Sequence, residues 1–407
     1  MGWYYLIAWA ALLAQLLVVY FAVRNYRYVL AKSRRDKPAI YRPRTTLIIP
    51  CKGFDPHFDS NIRSFLEQDY DNYRLFFVVE SESDPAFPEL RTLKDKLAPG
   101  SRAGDIQIFV AGPSQSCGQK IHNLLYALGR MPEDTEVLAF ADSDACVHRD
   151  WLSRLVRPLR RPVFGVTTGY RWFVPTQNNL ASLVLSALNA AVAQLLGNSI
   201  LNHAWGGSMA IRVEDFRRLH VAQIWSNGVS DDLPLSRTVK RAGMRIAFVP
   251  ECLVASFAST TWPQLAEFAR RQFLITRVYT PRAWWLGLLF SLGSVAGLWG
   301  GAAAALYAAA IHAEHTLLYA AVPILFFASH LLRAVLRQLV AARVLKEYLP
   351  QLSRAAVADV LGCWLWSPLL LALILSSAFG RTIRWRGIRY KLLGPSKMVV
   401  LDTATKV

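Results

Sequence analysis

Two stretches of this chain carry no charge over lengths that a lipid bilayer dictates. Met1 to Val23 and Ala283 to Ala313 contain no Asp, Glu, Lys or Arg, and as helices each crosses a hydrocarbon core of about 30 Å. A third run, His315 to Leu332, is shorter and is followed by Arg333 and Arg337; it is expected to span. A fourth, Val360 to Gly380, is long enough but holds Gly362, Ser367 and Pro368. It spans or re-enters, and the basic cluster that follows favours re-entry or a position along the surface, because translocating that cluster would oppose the positive-inside rule.

The net charge of +18 is concentrated beside these runs: Arg24, Arg27, Lys32, Arg34, Arg35 and Lys37 follow the first, and Arg381, Arg384, Arg386, Arg389 and Lys391 the last. That bias puts the segment after the first helix in the cytoplasm. A cleaved signal peptide would carry its charge on the other side of the apolar run. Basic residues placed this way suit anionic headgroups rather than nucleic acid. Cys51, Cys117, Cys146, Cys252 and Cys363 show no CxxC pair, so they read as reduced thiols and not as a disulfide or zinc framework.

Between the apolar runs lies one segment with the pattern of a globular domain. Thr46–Pro50, Leu75–Val79, Ile106–Val110 and Val137–Phe140 are short β-rich runs, with helix-like stretches at Ser60–Gln68 and Lys120–Gly129 between them. Strands alternating with helices predict an α/β, doubly wound, mainly parallel sheet that binds ligands beyond the carboxyl ends of its strands. Leu180–Ile200, apolar but broken by Ser182, Ser186, Asn189, Gln194 and Asn198, predicts an amphipathic interfacial helix, as does Pro263–Tyr279 with Arg270, Arg271 and Arg277. The expected organisation is a transmembrane anchor (1–24), a basic linker (25–44), the α/β domain (45–260, with an interfacial helix near 179–201), a second interfacial helix (261–282), spanning or re-entrant helices (283–380) and a basic cytoplasmic tail (381–407).

Asp142-Ser-Asp144 stands at the end of the apolar run Val137–Phe140. Carboxylates there can hold Mg²⁺ or Mn²⁺ against a diphosphate, and the metal would neutralise charge developing on a departing nucleotide. A DxD triplet alone is as readily a solvated turn; its place after a buried strand favours the metal. Asp231-Asp232 follows Trp205-Gly-Gly-Ser-Met209 and precedes the strand Ile246–Val249. A sugar transfer by direct displacement needs a carboxylate that takes the acceptor's proton, and Asp232 is the candidate base with Asp231 its neighbour. The same pair would equally cap a helix starting near Leu233. Lys120 opens a predicted helix, where an ammonium and free N–H groups meet a phosphate. Glu80, Glu82 and Asp84 follow the second strand and suit the base or ribose of a nucleotide; spacing leaves open which.

Taken together these residues resemble the glycosyltransferases of the processive type in family 2 and the ceramide glucosyltransferases of family 21. The resemblance runs along nearly the whole chain, through Ile49-Pro50, Gln68-Asp-Tyr70, Glu82-Ser-Asp-Pro85, Lys120-Ile-His-Asn-Leu124, Asp142-Ser-Asp144, Gly206-Gly-Ser-Met209, Asp231-Asp232 and Trp385-Arg-Gly-Ile-Arg-Tyr390. It implies a GT-A fold, a UDP-sugar donor with Mg²⁺ or Mn²⁺, inversion at the anomeric carbon, and transfer of a hexose, glucose favoured, to a membrane lipid such as ceramide. It places Pro50, Lys120 and Asn123 with the Glu80–Asp84 cluster as nucleotide-sugar contacts. Trp205, Gly206, Gly207 and Ser208, with Arg271, Gln272 and Arg277, fall near the acceptor and diphosphate. One departure stands out: where the family has [Q/R]xxRW, this chain reads Arg271-Gln-Phe-Leu-Ile275. A sterol, hopanoid or glycerolipid acceptor is an alternative. A processive polysaccharide synthase is a second one, disfavoured by the few spans and the missing Arg-Trp pair. The expectation is an integral membrane protein with its catalytic domain on the cytoplasmic face (of the inner membrane, in a bacterium), with no nucleic-acid partner and an oligomeric state left open.

Overall fold

The computed structural model describes residues 2–33, 41–55, 57–314 and 316–403; Arg34, Arg35 and Lys37 of the basic linker, and His315, lie outside them. The chain divides into a helical unit (1–31, 175–197 and 259–380) and a sheet unit (32–174, 198–258 and 381–407).

In the helical unit three helices are long and apolar enough to cross a membrane: Leu6–Ser33, Pro281–Ala310 and Thr316–Val344. Leu6, Trp9, Leu13, Leu16 and Tyr20 are each more than half exposed, an apolar surface suited to lipid. The first helix does not stop near residue 24 but continues through Arg24 and Arg27 to Ser33. The third passes the expected end at Leu332 because Arg337, buried within it, is paired with buried Asp359 of helix Leu349–Leu361, which also takes bonds from Gln338 and the Trp366 indole. The segment 360–380 is not one straight helix. It breaks by 94° between the helices ending at Leu361 and starting at Trp366; the latter, Trp366–Ser376, has 11 residues and reaches only about 16 Å.

Helix Leu180–Ala193 departs from the amphipathic helix expected at a membrane surface. Its polar Ser182, Ser186 and Asn189 are buried, and it packs on helices Trp262–Tyr279, Thr316–Val344 and Leu349–Leu361, so it belongs to the helical unit. Helix Trp262–Tyr279 opens on a capping box between Thr261 and Gln264. Two of its arginines bind backbone: Arg270 donates to the carbonyls of Ser376 and Phe379, and Arg277 to those of Ala378 and Gly380. These carbonyls, at and just beyond the end of helix Trp366–Ser376, include the kind that a helix C-terminus leaves unpaired.

The sheet unit is built on a seven-stranded sheet of β1 (Thr45–Pro50), β2 (Tyr73–Val79), β3 (Asp105–Val110), β4 (Val137–Ala141), β5 (Phe164–Pro175), β6 (Ser208–Arg212) and β7 (Arg245–Ala258), in spatial order β3-β2-β1-β4-β6-β5-β7. The first four pair in parallel; β6 runs antiparallel to both β4 and β5. Both faces are covered, which explains the unbroken apolar strands. Leu47 and Ile49 enter one core layer with Ile62, Phe65 and Trp151, while Ile48 enters the other with Phe140, Ile121 and Trp225. Residues 382–403 are not a tail. They form an antiparallel sheet of β8 (Thr382–Trp385), β9 (Ile388–Gly394) and β10 (Lys397–Thr403), in order β10-β9-β8, within the sheet unit.

Candidate active site

The fully buried strand β4 ends at Ala141 and delivers Asp142 to the carboxyl edge of the sheet, where a turn closed by the Ala145 N–H on the Asp142 carbonyl turns Asp144 back beside it. Helix Gln119–Leu128 brings Lys120 to the same edge. Its ammonium lies 2.7 Å from Asp142 Oδ1 and 3.1 Å from Asp231 Oδ2, so one cation joins the DxD pair to the Asp231-Asp232 pair. Two contacts hold the Asp231 loop there: the Gly118 N–H donates to the Gly228 carbonyl, and the Trp225 indole to the Asp231 carbonyl. Arg171, from the middle of β5, spans the DxD pair, with Nη2 3.1 Å from Asp142 Oδ2 and Nη1 3.3 Å from Asp144 Oδ2. Its guanidinium also stacks on Trp205, 4.7 Å from the ring centroid.

Burial and charge set the protonation of this cluster. Burial pushes Asp142 up, but Lys120 and Arg171 outweigh it and hold the carboxyl below its ordinary range. Burial raises Asp144, opposed by Arg171 and reinforced by Asp142, and the net direction is upward. Asp231 is raised to about 6 by burial, against Lys120 and with Asp232 and Asp142. Burial disfavours the Lys120 ammonium, yet Asp142 and Asp231 prevail and keep it charged. Asp144 Oδ1 is buried with no hydrogen-bond partner among the described residues, an oxygen in need of a donor or a cation.

Asp232 is only partly buried. Its Oδ1 accepts from Ser230 Oγ and the Leu233 N–H, both at 2.7 Å, and its Oδ2 from the Gly206 N–H at 3.2 Å. The carboxylate therefore both takes up a backbone N–H in the first turn of helix Asp232–Arg241 and faces the glycine pair. Those glycines permit the close approach: a Cβ at Gly206 would collide with the Asp231 carboxylate, and one at Gly207 with the Trp205 ring and, at 2.6 Å, with Asp142 Oδ2.

A family model for glycosyl transferase family 21 matches residues 6–397. The chain belongs to that family. No curated protein shows significant sequence similarity to it. Among solved structures it is similar to the mannosyltransferase PcManGT from Pyrobaculum calidifontis in complex with GDP-Man and Mn²⁺, at 17% identity over 91% of this chain and 97% of that one, with a TM-score of 0.44. It is also similar to glucosyl-3-phosphoglycerate synthase from Mycobacterium tuberculosis in complex with Mn²⁺, UDP and glucosyl-3-phosphoglycerate, at 16% identity over 58% of this chain and 79% of that one, with a TM-score of 0.37.

Within this family 21 chain the acidic residues after β2 separate. Glu80 pairs with Lys52, Glu82 is exposed, and Asp84 Oδ1 accepts from the N–H groups of Gly53 and Ala86, at 2.8 and 2.9 Å, tying the loop after β1 to helix Ala86–Leu97. Pro50 ends β1 opposite Val78. Asn123 braces its helix on β2, donating to the Val78 carbonyl and accepting from Gln119, so both ends of its amide are engaged within the protein. Ser208 accepts from the Trp151 indole at 2.9 Å in the core. Arg271, Gln272 and Arg277 belong to the helical unit: Arg271 lies over Phe268, the Gln272 carbonyl accepts from Thr276, and Arg277 is engaged as described above. Leu274 and Ile275, at the family's Arg-Trp positions, are buried.

For three residues the sequence reading missed their place at the acidic edge. Arg171 had one local signal, a lone charge inside the apolar β run Phe164–Pro175. Asp55 had none, and Arg386 stood out only as part of the basic cluster and the motif Trp385–Tyr390; 331 residues apart, the two are paired by the fold alone, with Arg386 Nη2 2.6 Å from Asp55 Oδ1.

Proposed function

We propose that this family 21 glycosyltransferase moves a hexose from a UDP-sugar to the hydroxyl of a membrane lipid, with inversion at the anomeric carbon. The observation that carries the reading is the bridge made by Lys120 between the DxD pair and Asp231-Asp232, which gathers a diphosphate-binding edge and a candidate base into one site. Asp142 and Asp144 would hold Mg²⁺ or Mn²⁺. They fit that task as adjacent carboxylates with an unpartnered buried oxygen on Asp144. No group of three or more His, Cys, Asp or Glu among the described residues forms a cage, so phosphate oxygens would complete the shell. The metal, when bound, stabilises charge on the leaving diphosphate.

Asp232 takes the proton of the acceptor hydroxyl as that oxygen bonds to the anomeric carbon, and the donor's C–O bond breaks with its electron pair leaving on the diphosphate. The N–H of Gly206 and the hydroxyl of Ser230 aim the Asp232 carboxylate. Lys120 and Arg171, cations beside the DxD pair, would meet the phosphates of the donor. The apolar helices support a lipid acceptor, since a lipid hydroxyl that reacts at the interface avoids re-exposing chain at about 0.8 kcal/mol per CH₂. Ceramide is the acceptor favoured by family resemblance.

The test is transfer from radiolabelled UDP-glucose, UDP-galactose and GDP-mannose by the purified protein with Mn²⁺ and separate ceramide, sterol, hopanoid and glycerolipid fractions. Label extracted into the organic phase from a UDP-sugar, dependent on metal and on one lipid class, is expected. Equal transfer to a water-soluble acceptor without an apolar tail, or transfer only from GDP-mannose, overturns the reading. By the charge rule the sheet unit is assigned to the cytoplasm; cysteine labelling that puts residues 100 and 390 on opposite faces refutes this.

A further inference from the structure

The chain's last sheet returns to the acidic edge. We propose that the β8–β9 hairpin is a wall of the donor site, and that Arg386 at its tip leaves Asp55 to bind the diphosphate of the nucleotide when donor enters. This rests on the nucleotide-sugar reading above.

Position is the first argument. Arg386 Nη2 is 2.6 Å from Asp55 Oδ1, and Asp55 Oδ2 accepts at 3.1 Å from Oγ of Ser143, the middle residue of the DxD triplet. Asp144 and Asp142 add to Asp55 in overcoming burial and holding the guanidinium charged. Farther along β9 the buried Tyr390 hydroxyl accepts, at 3.3 Å, from the N–H of Gln119 in the first turn of the helix that bears Lys120. The hairpin thus touches the site at two points, beside the carboxylate pair and beside the helix start.

The backbone is the second. Arg386 and Gly387 form a two-residue turn with φ of +49° and +82°. Such turns favour Asn, Asp or Gly at both places, and an arginine in the left-handed region carries a conformational cost. Here the turn aims its side chain at Asp55.

Charge is the third. Asp55, Asp142, Asp144, Asp231 and Asp232 outnumber Lys120, Arg171 and Arg386 around this edge, so a diphosphate can enter only with a divalent cation and with these cations turned toward it. With Asp142 and Asp144 engaged by a divalent cation the acidic pull on Arg386 would be weaker, and its planar guanidinium suits two phosphate oxygens at once.

Calorimetry of UDP and UMP binding, with GDP in parallel, to the full-length protein in detergent with Mn²⁺ tests this. Arg386→Gln is expected to weaken UDP binding about tenfold or more and UMP binding far less, while Asp55→Asn strengthens UDP binding by releasing the arginine. Equal weakening in both variants would mean that the pair only props the fold, and overturns the proposal. Should Arg386→Gln not fold, hydrogen exchange on the wild-type protein decides: UDP with Mn²⁺ must slow exchange across residues 383–390, and unchanged exchange there refutes it. Wild-type protein that binds neither UDP nor GDP removes the nucleotide reading and this inference with it. Wild-type binding that Arg386→Gln leaves intact removes this inference alone.

Discussion

Lys120 is the residue on which the acidic edge depends most, and Lys120→Met tests that with a calculable size. The change keeps the side chain's length and bulk but withdraws the cation shared by Asp142 and Asp231, whose side chains are 19% and 4% exposed. Removing one partner of a buried ion pair costs roughly 3–5 kcal/mol. Arg171 still serves Asp142, so the lower end, about 3 kcal/mol, applies. At about 2–4 °C per kcal/mol for a domain of this size, the apparent Tm at pH 8 falls by about 6–12 °C.

The deficit must also depend on pH. Asp231, raised to about 6, costs the fold stability as pH rises from the usual carboxylate range through about 6; Asp142, held low, contributes stability above its usual range that is lost as pH falls through its folded value. Without Lys120 the first penalty grows and the second contribution shrinks, so the loss is greatest at pH 8. It narrows toward pH 5, where Asp231 takes up a proton. Scanning fluorimetry at both pH values, with and without Mn²⁺, measures this, and Mn²⁺ should restore part of the loss by binding the stranded carboxylates. A Tm within about 2 °C of wild type at pH 8, or a deficit undiminished at pH 5, refutes the reasoning.

Asp142→Ala and Asp144→Ala should each abolish transfer and weaken Mn²⁺ binding, read by electron paramagnetic resonance, while the protein stays folded, because Lys120 keeps Asp231 and Arg171 keeps one aspartate. Full transfer by either variant in EDTA-stripped buffer would sink the metal assignment. Asp232→Asn should keep UDP and Mn²⁺ binding yet lose about 10²-fold or more in kcat, with Asp231→Asn milder; collapsed UDP affinity with normal turnover of bound donor would place the base elsewhere. Gly206→Ala, whose new methyl meets the Asp231 carboxylate, should lose activity and about 1–3 kcal/mol of stability. An active, equally stable alanine variant would show that the cradle is looser than described.

Much of this protein is written in local pattern. Uncharged runs announced the helices long and apolar enough to cross a membrane, because a bilayer core tolerates few charges, and β1 to β4 were legible as apolar runs because a sheet covered on both faces needs no alternation. The strand-end position of Asp142 and Asp144 followed from the same pattern, as did an acidic pair at Asp231-Asp232. Local pattern misled wherever a charge found a distant partner. Arg333 and Arg337 looked like the end of the third apolar helix, but Asp359 neutralises Arg337 within that helix, and the basic residues after 380 looked like a tail although they fold as β8 to β10.

Through-space pairing was decided by tertiary structure alone. Nothing in their spacing shows that Lys120 joins Asp142 to Asp231, that Arg171 spans the DxD pair, that Asp84 and Asn123 are engaged in bracing the scaffold, or that Arg386 reaches Asp55. Hydrophobic periodicity reports what each segment needs to bury, and so determines the elements. Which charge sits within hydrogen-bonding distance of which carboxylate depends on the order of strands in the sheet and the turns that bring their ends together, and those are properties of the whole fold.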